Sequence, residues 1–354
     1  MHQPLFKIIS IDALSATPKY LQLVQGIINA VDKGSLEEGQ LLPSINDISA
    51  EMEVSRDTAE KAYRQLKKRG VLESVPGKGY FIKKRTEGPG LKVFLLFNKL
   101  SAHKKIVYDA LTKALGDTAT IDLYIYHNDF SLFKKIIEGR RTDYTHYVIL
   151  PHFLEGGEKA AEILNSLTSG KLILLDKIIP GITIPFAAVY ENFEEDIFSA
   201  LEEAKDKLSG YKTIKLIFPE YTYYPEEIIK GFKRFCQEYA FTAKLVHDIS
   251  CDPLSAGGVY RSVMENDLVI LIERLLAEGL KIGKEVGVIS YNETPLKKII
   301  LNGITTISTD FQLMGEMTAK LISEKENETW AVPFRLTLRP SIYLYTLLFS
   351  FNRN

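Results

Sequence analysis

From residue 92 onward the chain alternates two kinds of segment, and this alternation restricts its fold more than any other feature. The apolar runs KVFLLF, IDLYIY, HYVILP, KLILLD, IKLIF, LVILI and EVGVIS are separated by stretches of helical periodicity at 102–115, 156–168, 193–208, 225–239 and 311–324. Strand-length runs that are apolar throughout belong in parallel sheets covered on both faces by helices. So many units exceed what one sheet comfortably holds, which predicts two lobes. In open α/β sheets the ligand crevice lies beyond the carboxyl ends of the strands, and two lobes can close on a ligand by a hinge.

The residues that follow the runs therefore matter. They are Asn98 and Lys99, His127 and Asn128, His152, Asp176 and Lys177, and Tyr291, Asn292 and Glu293. Any one of them is most simply a solvated strand end. As a set they are the side chains that hydrogen-bond a neutral sugar, and the EYTYY run at 220–224 could place aromatic rings against it.

The first ninety residues have a different texture. In PKYLQLVQGIINAVDK, residues 18–33, Tyr20, Val24, Ile27, Ile28 and Val31 share one helical face between Pro18 and Gly34. Ser44 and Asp47 make an S-x-x-D cap for a short helix with Ile48 and Met52 inward. Ser55 is the expected N-cap of a third helix that buries Ala59, Ala62, Tyr63 and Leu66 and stops at Gly70. VLESV, a PGKG turn and YFIKK then read as a hairpin. The Gly-Lys-Gly step is no phosphate loop, because Gly79 stands where the magnesium-binding hydroxyl belongs. Three helices and a ribbon make a winged helix-turn-helix.

In that geometry the helix starting at Ser55 enters the major groove by its amino end. Ser55, Arg56, Thr58 and Lys61 are the candidate DNA contacts there, Arg56 being able to pair bidentately with guanine or grip a phosphate. Ser44 and Asn46 join them from the preceding helix, since Asn46 can hydrogen-bond a phosphate or base edge. At the wing tip, Gly77 and Gly79 allow close backbone approach and Lys78 adds charge. The whole chain carries a net charge of only −1, yet residues 61–85 hold nine basic residues against Glu73 alone.

Residues 18–84 resemble the GntR family of bacterial regulators. The match rests on YLQLVQGI, G-S-L-x-x-G-x-x-L-P-S, VSRDTAEKAYRQLKKRGVLES and PGKGYFI, in order and at the family's spacing. Asn46 and Glu60 depart from it, standing where the family often carries arginine. A second resemblance covers the remainder: residues 263–322 are similar to the effector-binding core of the lactose/galactose repressor class, itself similar to periplasmic sugar-binding proteins. Its strongest pieces are the Asn266-Asp267 pair, GVISYNETPL and TTISTDFQLMGEMTAKL. This resemblance implies that Asp176, Asn266 and Asn292 contact sugar hydroxyls, and that Ile228 replaces a ligand arginine. It further implies lobes of 91–188 with 309–337, and 189–308 with 338–354.

The expected architecture is thus α/β: an N-terminal winged helix-turn-helix (1–84), a linker (85–90, containing Gly-Pro-Gly) and a two-lobed domain with parallel sheets (91–354). The ligand candidates are Asn98, His127, His152, Asp176, Asn266, Tyr291 and Asn292. The apolar tail SIYLYTLLFSF is expected to form a last strand or a dimer contact. Two cysteines, Cys236 and Cys251, form no framework or CxxC site. The six histidines lack metal-ligand spacing, and no G-x-S-x-G or H-E-x-x-H motif occurs. No cofactor, metal or membrane span is expected, and with no secretory signal a cytoplasmic location is.

The expected function is a homodimeric repressor that binds operator DNA and is released by a monosaccharide. A GntR head on such a core resembles the arabinose repressors of bacilli, which points to L-arabinose or L-fucose, with purines and sugar phosphates as alternatives. The competing reading is a sugar-binding protein or sugar-processing enzyme whose head does not bind DNA.

Overall fold

A computed structural model describes residues 5–83, 90–140, 143–324 and 327–342. Helix α1 (Lys19–Asp32) buries Leu23, Val24, Ile27 and Ile28, with Tyr20 and Val31 at the margin of the same cluster. After β1 (Leu41–Leu42), helix α2 (Ile45–Glu51) opens on a reciprocal capping box between Ser44 and Asp47, a device that contributes about 1 kcal/mol. Helix α3 (Arg56–Lys68) is capped by Ser55 and buries Ala59, Ala62, Tyr63 and Leu66. The Tyr63 hydroxyl donates to the Pro43 carbonyl at 2.8 Å, tying α3 to the start of α2.

Strands β2 (Leu72–Val75) and β3 (Gly79–Ile82) pair antiparallel, and β1 adds a third strand against β3. Between them, Lys78 N–H donates to Val75 O at 3.0 Å around Pro76 and Gly77, with Gly77 at φ +71°. Proline followed by a residue of positive φ is the chemistry of a type II turn. The expected linker, 85–90, lies outside the described residues apart from Gly90.

The first lobe runs β4 (Leu91–Phe97), α4 (Ala102–Leu115), β5 (Ala119–Ile125), α5 (Phe130–Glu138), β6 (His146–Ile149), α6 (Ala160–Asn165), β7 (Lys171–Asp176) and β8 (Phe186–Tyr190). The second runs α7 (Phe193–Glu203), α8 (Lys205–Leu208), β9 (Thr213–Ile217), α9 (Glu227–Glu238), β10 (Thr242–Val246), β11 (Gly258–Ser262), α10 (Glu265–Ala277), β12 (Gly287–Tyr291) and β13 (Thr305–Thr309). The chain then returns to the first lobe for α11 (Phe311–Ser323) and β14 (Thr329–Ala331), and crosses again for β15 (Phe334–Thr337).

The first sheet has the order β14-β8-β7-β6-β4-β5 and is parallel throughout. The second has the order β10-β9-β11-β12-β13-β15, parallel except for β15. Each sheet is buried on both faces, which is why its strands read as unbroken apolar runs.

Two expectations need correction. The LVILI run, 268–272, is not a strand; it lies in α10, where Leu268, Leu271 and Leu275 are buried at helical spacing. The neighbouring strand is GVYRS, 258–262, whose buried Arg261 and Ser262 hid it from a search for apolar runs. Residues 334–337, expected with the first lobe, pair with β13 in the second sheet. Of the expected apolar tail, residues 343–354 lie outside the described residues.

Helix–helix approach sets some small residues. A Cβ on Gly231 of α9 would stand 2.2 Å from the Glu194 carbonyl oxygen of α7. Because the obstacle is backbone, Gly231→Ala should cost about 1–3 kcal/mol, read as a lowered melting temperature; an unchanged melt would mean the two helices separate freely.

The head rests on the free edge of the first sheet. Ser15 bridges Tyr124 of β5, Ala16 N–H donates to Leu123 O at 2.7 Å, and Leu123 N–H donates to the Thr17 hydroxyl at 2.8 Å. The Tyr124 hydroxyl donates to Asp12 at 2.8 Å, Gln25 of α1 donates to Ile121 O at 3.0 Å, and Lys33 pairs with Asp143 at 3.0 Å. Residues 12–17 thereby cover an edge strand that would otherwise offer unpaired backbone groups.

Candidate functional site

Two surfaces gather the candidate residues. On the head, Ser44, Asn46, Ser55, Arg56, Lys61, Gly77, Lys78 and Gly79 are exposed and Thr58 is half-buried. Three of the hydroxyls have local duties. Ser44 caps α2, while the Ser55 Oγ accepts from Thr58 N–H at 3.2 Å and lies 2.8 Å from the Thr58 hydroxyl. Arg56 makes no ion pair with any described residue, and Lys61 lies over the Tyr20 ring at 3.9 Å. Glu60 pairs with Arg64 at 2.8 Å. Arg56, Lys61 and Lys78 are thus exposed cations of the head, and none of them takes part in the Ser15–Thr17, Gln25 and Lys33 contacts that hold the head to the lobe.

The second surface is a cleft between the lobes. Lys99, Ser101, His103, Tyr223, Tyr224, Met264, Glu265, Asn266, Tyr291, Asn292 and Lys297 line a cavity of about 220 Å³. A smaller recess continues inward past Lys104, His152, Asp176, Glu191, Phe193 and Phe311. These residues come from the carboxyl ends of β4, β6, β7, β8 and β12, from the first turns of α4, α7, α10 and α11, and from the segments that follow β9 and β12. Asp176 and Asn292 both hold left-handed backbone, φ +73° and +61°. Asn and Asp tolerate this conformation better than bulkier residues, and such strain collects at functional positions.

Hydrogen bonds and charge fix the inner recess. His152 Nε2 lies 3.1 Å from the Asp176 carboxylate, and the Lys104 ammonium lies 4.0 Å from it while donating to the Asn98 carbonyl. Burial pulls Lys104 down to about 8, with Asp176 drawing it back up. Burial by itself would raise the Asp176 carboxyl, but His152 and Lys104 hold it below the usual range, so it is ionised at neutral pH. Burial lowers His152, opposed by Asp176. Glu191 is pushed well above its ordinary value by burial and then by Asp176, and it accepts a 3.3 Å hydrogen bond from the Tyr291 hydroxyl. His103 is driven down to about 3 by burial and then by Lys104.

Aromatic rings supply the walls. Tyr223 and Tyr224 stack at 4.7 Å, and Tyr224 meets Tyr291 edge-on at 5.5 Å. Rings of this kind suit the apolar faces of a sugar.

Of the ligand candidates, His152, Asp176, Asn266, Tyr291 and Asn292 line the cleft. Asn98 is fully buried beneath it and acts by holding Lys104. His127 is exposed and does not line it. Lys104, Glu191 and Lys297 were not singled out from the sequence. Lys104 could have been, because it sits in the first turn of the helix that follows a strand, three residues after the cap Ser101.

Comparison with known proteins separates the two parts. Residues 19–82 match the family described as bacterial regulatory proteins, gntR family. The repressor YtrA of Bacillus subtilis is 34% identical over 74 residues, covering 21% of this chain and 57% of that protein. The arabinose metabolism transcriptional repressor of Geobacillus stearothermophilus is 34% identical over 65 residues, 18% of each chain. Both alignments are short, and the chain matches less than two thirds of either relative's length. By structure, the lac repressor dimer bound to operator and the anti-inducer ONPF superposes with a TM-score of 0.59, covering 72% of this chain and 95% of that one at 12% identity. The head is a gntR-type helix-turn-helix domain, and the two-sheet domain behind it has the lactose-repressor and periplasmic-binding-protein fold.

Proposed function

We propose that this chain, a gntR-type head on a lactose-repressor-like core, is a transcriptional repressor of a sugar-utilisation operon that leaves its operator when a small sugar enters the cleft. The observation that carries the reading is the coexistence of two surfaces: the exposed Arg56–Lys61–Lys78 face and the cleft around Asp176, Asn266 and Asn292. Relatives of the head are named repressors, one of them of arabinose metabolism. L-Arabinose and L-fucose are the first sugars to test. A cytoplasmic location fits such a role.

A homodimer suits the molecule. Val269 and Leu276 lie seven residues apart on one face of α10 and are more than half exposed. Leu296 and Ile299 are exposed at 64% and 73% in the segment whose Lys297 pairs with Glu265 at the start of α10. An apolar patch of this kind on the second lobe suits a second copy of the chain. The heads, by contrast, ride on the first lobe through β5. Closing the cleft turns one lobe against the other, so in a dimer joined at the second lobes it changes the separation of the two heads. Ile299→Asp should therefore halve the mass seen by light scattering and weaken operator binding at least tenfold. A variant that stays dimeric would move the interface elsewhere.

The DNA-binding half is tested by titrating the protein against the DNA upstream of its own gene at several salt concentrations. Phosphate contacts release counterions, so log affinity should fall linearly with log salt, with a slope of about −0.9 per phosphate neutralised. Absent or salt-independent binding would favour a sugar-binding protein or enzyme whose head does not touch DNA.

A further inference from the structure

The walls of the cleft are not balanced for a neutral ligand. Lys99, Lys104 and Lys297 all lie close enough to His103 to depress it electrostatically. Of the carboxylates around them, Asp176 is engaged inside by His152 and Lys104, Glu265 pairs with Lys297 at the rim, and Glu191 takes the Tyr291 hydroxyl. Lys297 is fully employed, donating to the carbonyls of Tyr291 at 3.0 Å and Asn292 at 2.7 Å and pairing with Glu265 at 3.5 Å. Lys99 is different. It is half-buried, lines the cavity, has no carboxylate partner among the described residues, and lies 4.4 Å from the Tyr223 ring centroid. Lys104 lies 5.9 Å from the same centroid.

A further cation lies under the floor. Arg261 of β11 is 0% exposed, and its Nε, Nη1 and Nη2 have no hydrogen-bond partner among the described residues. Its guanidinium is 5.7 Å from the ring centroid of Tyr291, a residue that lines the cavity. A buried, uncompensated guanidinium is costly, and an anion seated above that ring would relieve it. Ser101, Ala102 and His103, the cap and first residues of α4, also line the cavity, so the amide donors of that helix end reinforce the positive field.

We propose that the effector is an anion, a sugar bearing a phosphate or a carboxylate. The charged group seats against Lys99 with Lys104 behind it, and the hydroxyls face Asp176, Asn266 and Asn292. This rests on reading the cleft as the effector site, and the neutral sugars named above become its reference compounds.

The test is calorimetric titration of the full chain with four probes: L-arabinose, a pentose 5-phosphate, L-arabinonate and inorganic phosphate. The expected result is that the pentose phosphate or the pentonate binds at least tenfold more tightly than L-arabinose, and which of the two does so identifies the charged group. Lys99→Gln should reduce that preference to threefold or less, and Lys99→Arg should keep it. Equal or tighter binding of L-arabinose would overturn the anionic effector and leave the cleft as a sugar site. An undiminished preference in Lys99→Gln would overturn the seat. If no saccharide binds while DNA binding persists, the effector reading of the cleft fails and this inference with it. Tight binding of inorganic phosphate alone, unimproved by the sugar, would also overturn it.

Discussion

Arg56→Ala should weaken operator binding by about 1–3 kcal/mol, roughly five- to 150-fold, and leave thermal stability within about 0.5 kcal/mol of the parent. The expectation comes from its position and its freedom. Arg56 is the first residue of α3, exposed and without an ion-pair partner among the described residues, immediately after a cap that is complete without it. Its side chain therefore serves nothing inside the head. Fluorescence anisotropy on operator and on scrambled DNA divides the effect: a base contact relaxes sequence preference, whereas a phosphate contact weakens both DNAs alike and makes the salt slope shallower by about one. A fall in melting temperature accompanying the loss would show that Arg56 is structural.

Asp176→Ala should be the most damaging substitution in the cleft. The carboxylate is the shared partner of His152 and Lys104, and all three side chains are buried. Removing it leaves the Lys104 ammonium buried without a counter-charge, for which a loss of about 3–5 kcal/mol is typical. Alanine also accepts the left-handed backbone of residue 176 less readily than aspartate. Asp176→Asn separates stability from recognition. It keeps the shape, tolerates the backbone and still accepts from His152, so it should fold yet lose the response to effector. The pH dependence has a definite sign. Because the folded carboxyl is held below its usual range, its contribution is present above the unfolded carboxylate pKa and is lost as pH falls through the lowered folded value. In acid melts Asp176→Asn should therefore show a shallower loss of stability than the parent. Parallel curves would mean that folding leaves the pKa of this carboxyl unshifted.

The head was largely legible in the sequence because its determinants are local. Caps at Ser44 and Ser55, the stop at Gly70 and the Pro-Gly turn each act within a few residues, and helical spacing marked Ala59, Ala62, Tyr63 and Leu66 as the inner face. Strand β1 was missed because two residues have no period. In the core, most strands were visible as apolar runs, but LVILI carried the same composition into a helix. Short apolar runs do not distinguish the two states. The reverse error hid β11, whose Arg261 and Ser262 look polar in sequence and are fully buried in the fold.

Site residues followed the same division. His152, Asp176, Tyr291 and Asn292 could be found because strand ends converge on a cleft, and His127 fell away because its strand, β5, is the edge of its sheet. Glu191 and Lys297 were not legible, and Lys104 was so only by its place in the first turn after Ser101. Each reads as a surface charge in its own segment, and its burial arises from packing between segments far apart in sequence.

The proposed coupling runs from occupancy of the cleft to the cationic face of the head. Its most direct test is the operator dissociation constant at fixed salt, measured with and without a saturating saccharide that binds the cleft, in the parent and in Asp176→Asn. The account predicts a five- to 150-fold weakening on saturation, corresponding to about 1–3 kcal/mol of coupling, and no change in Asp176→Asn. Operator affinity that stays the same while the parent cleft fills would contradict it.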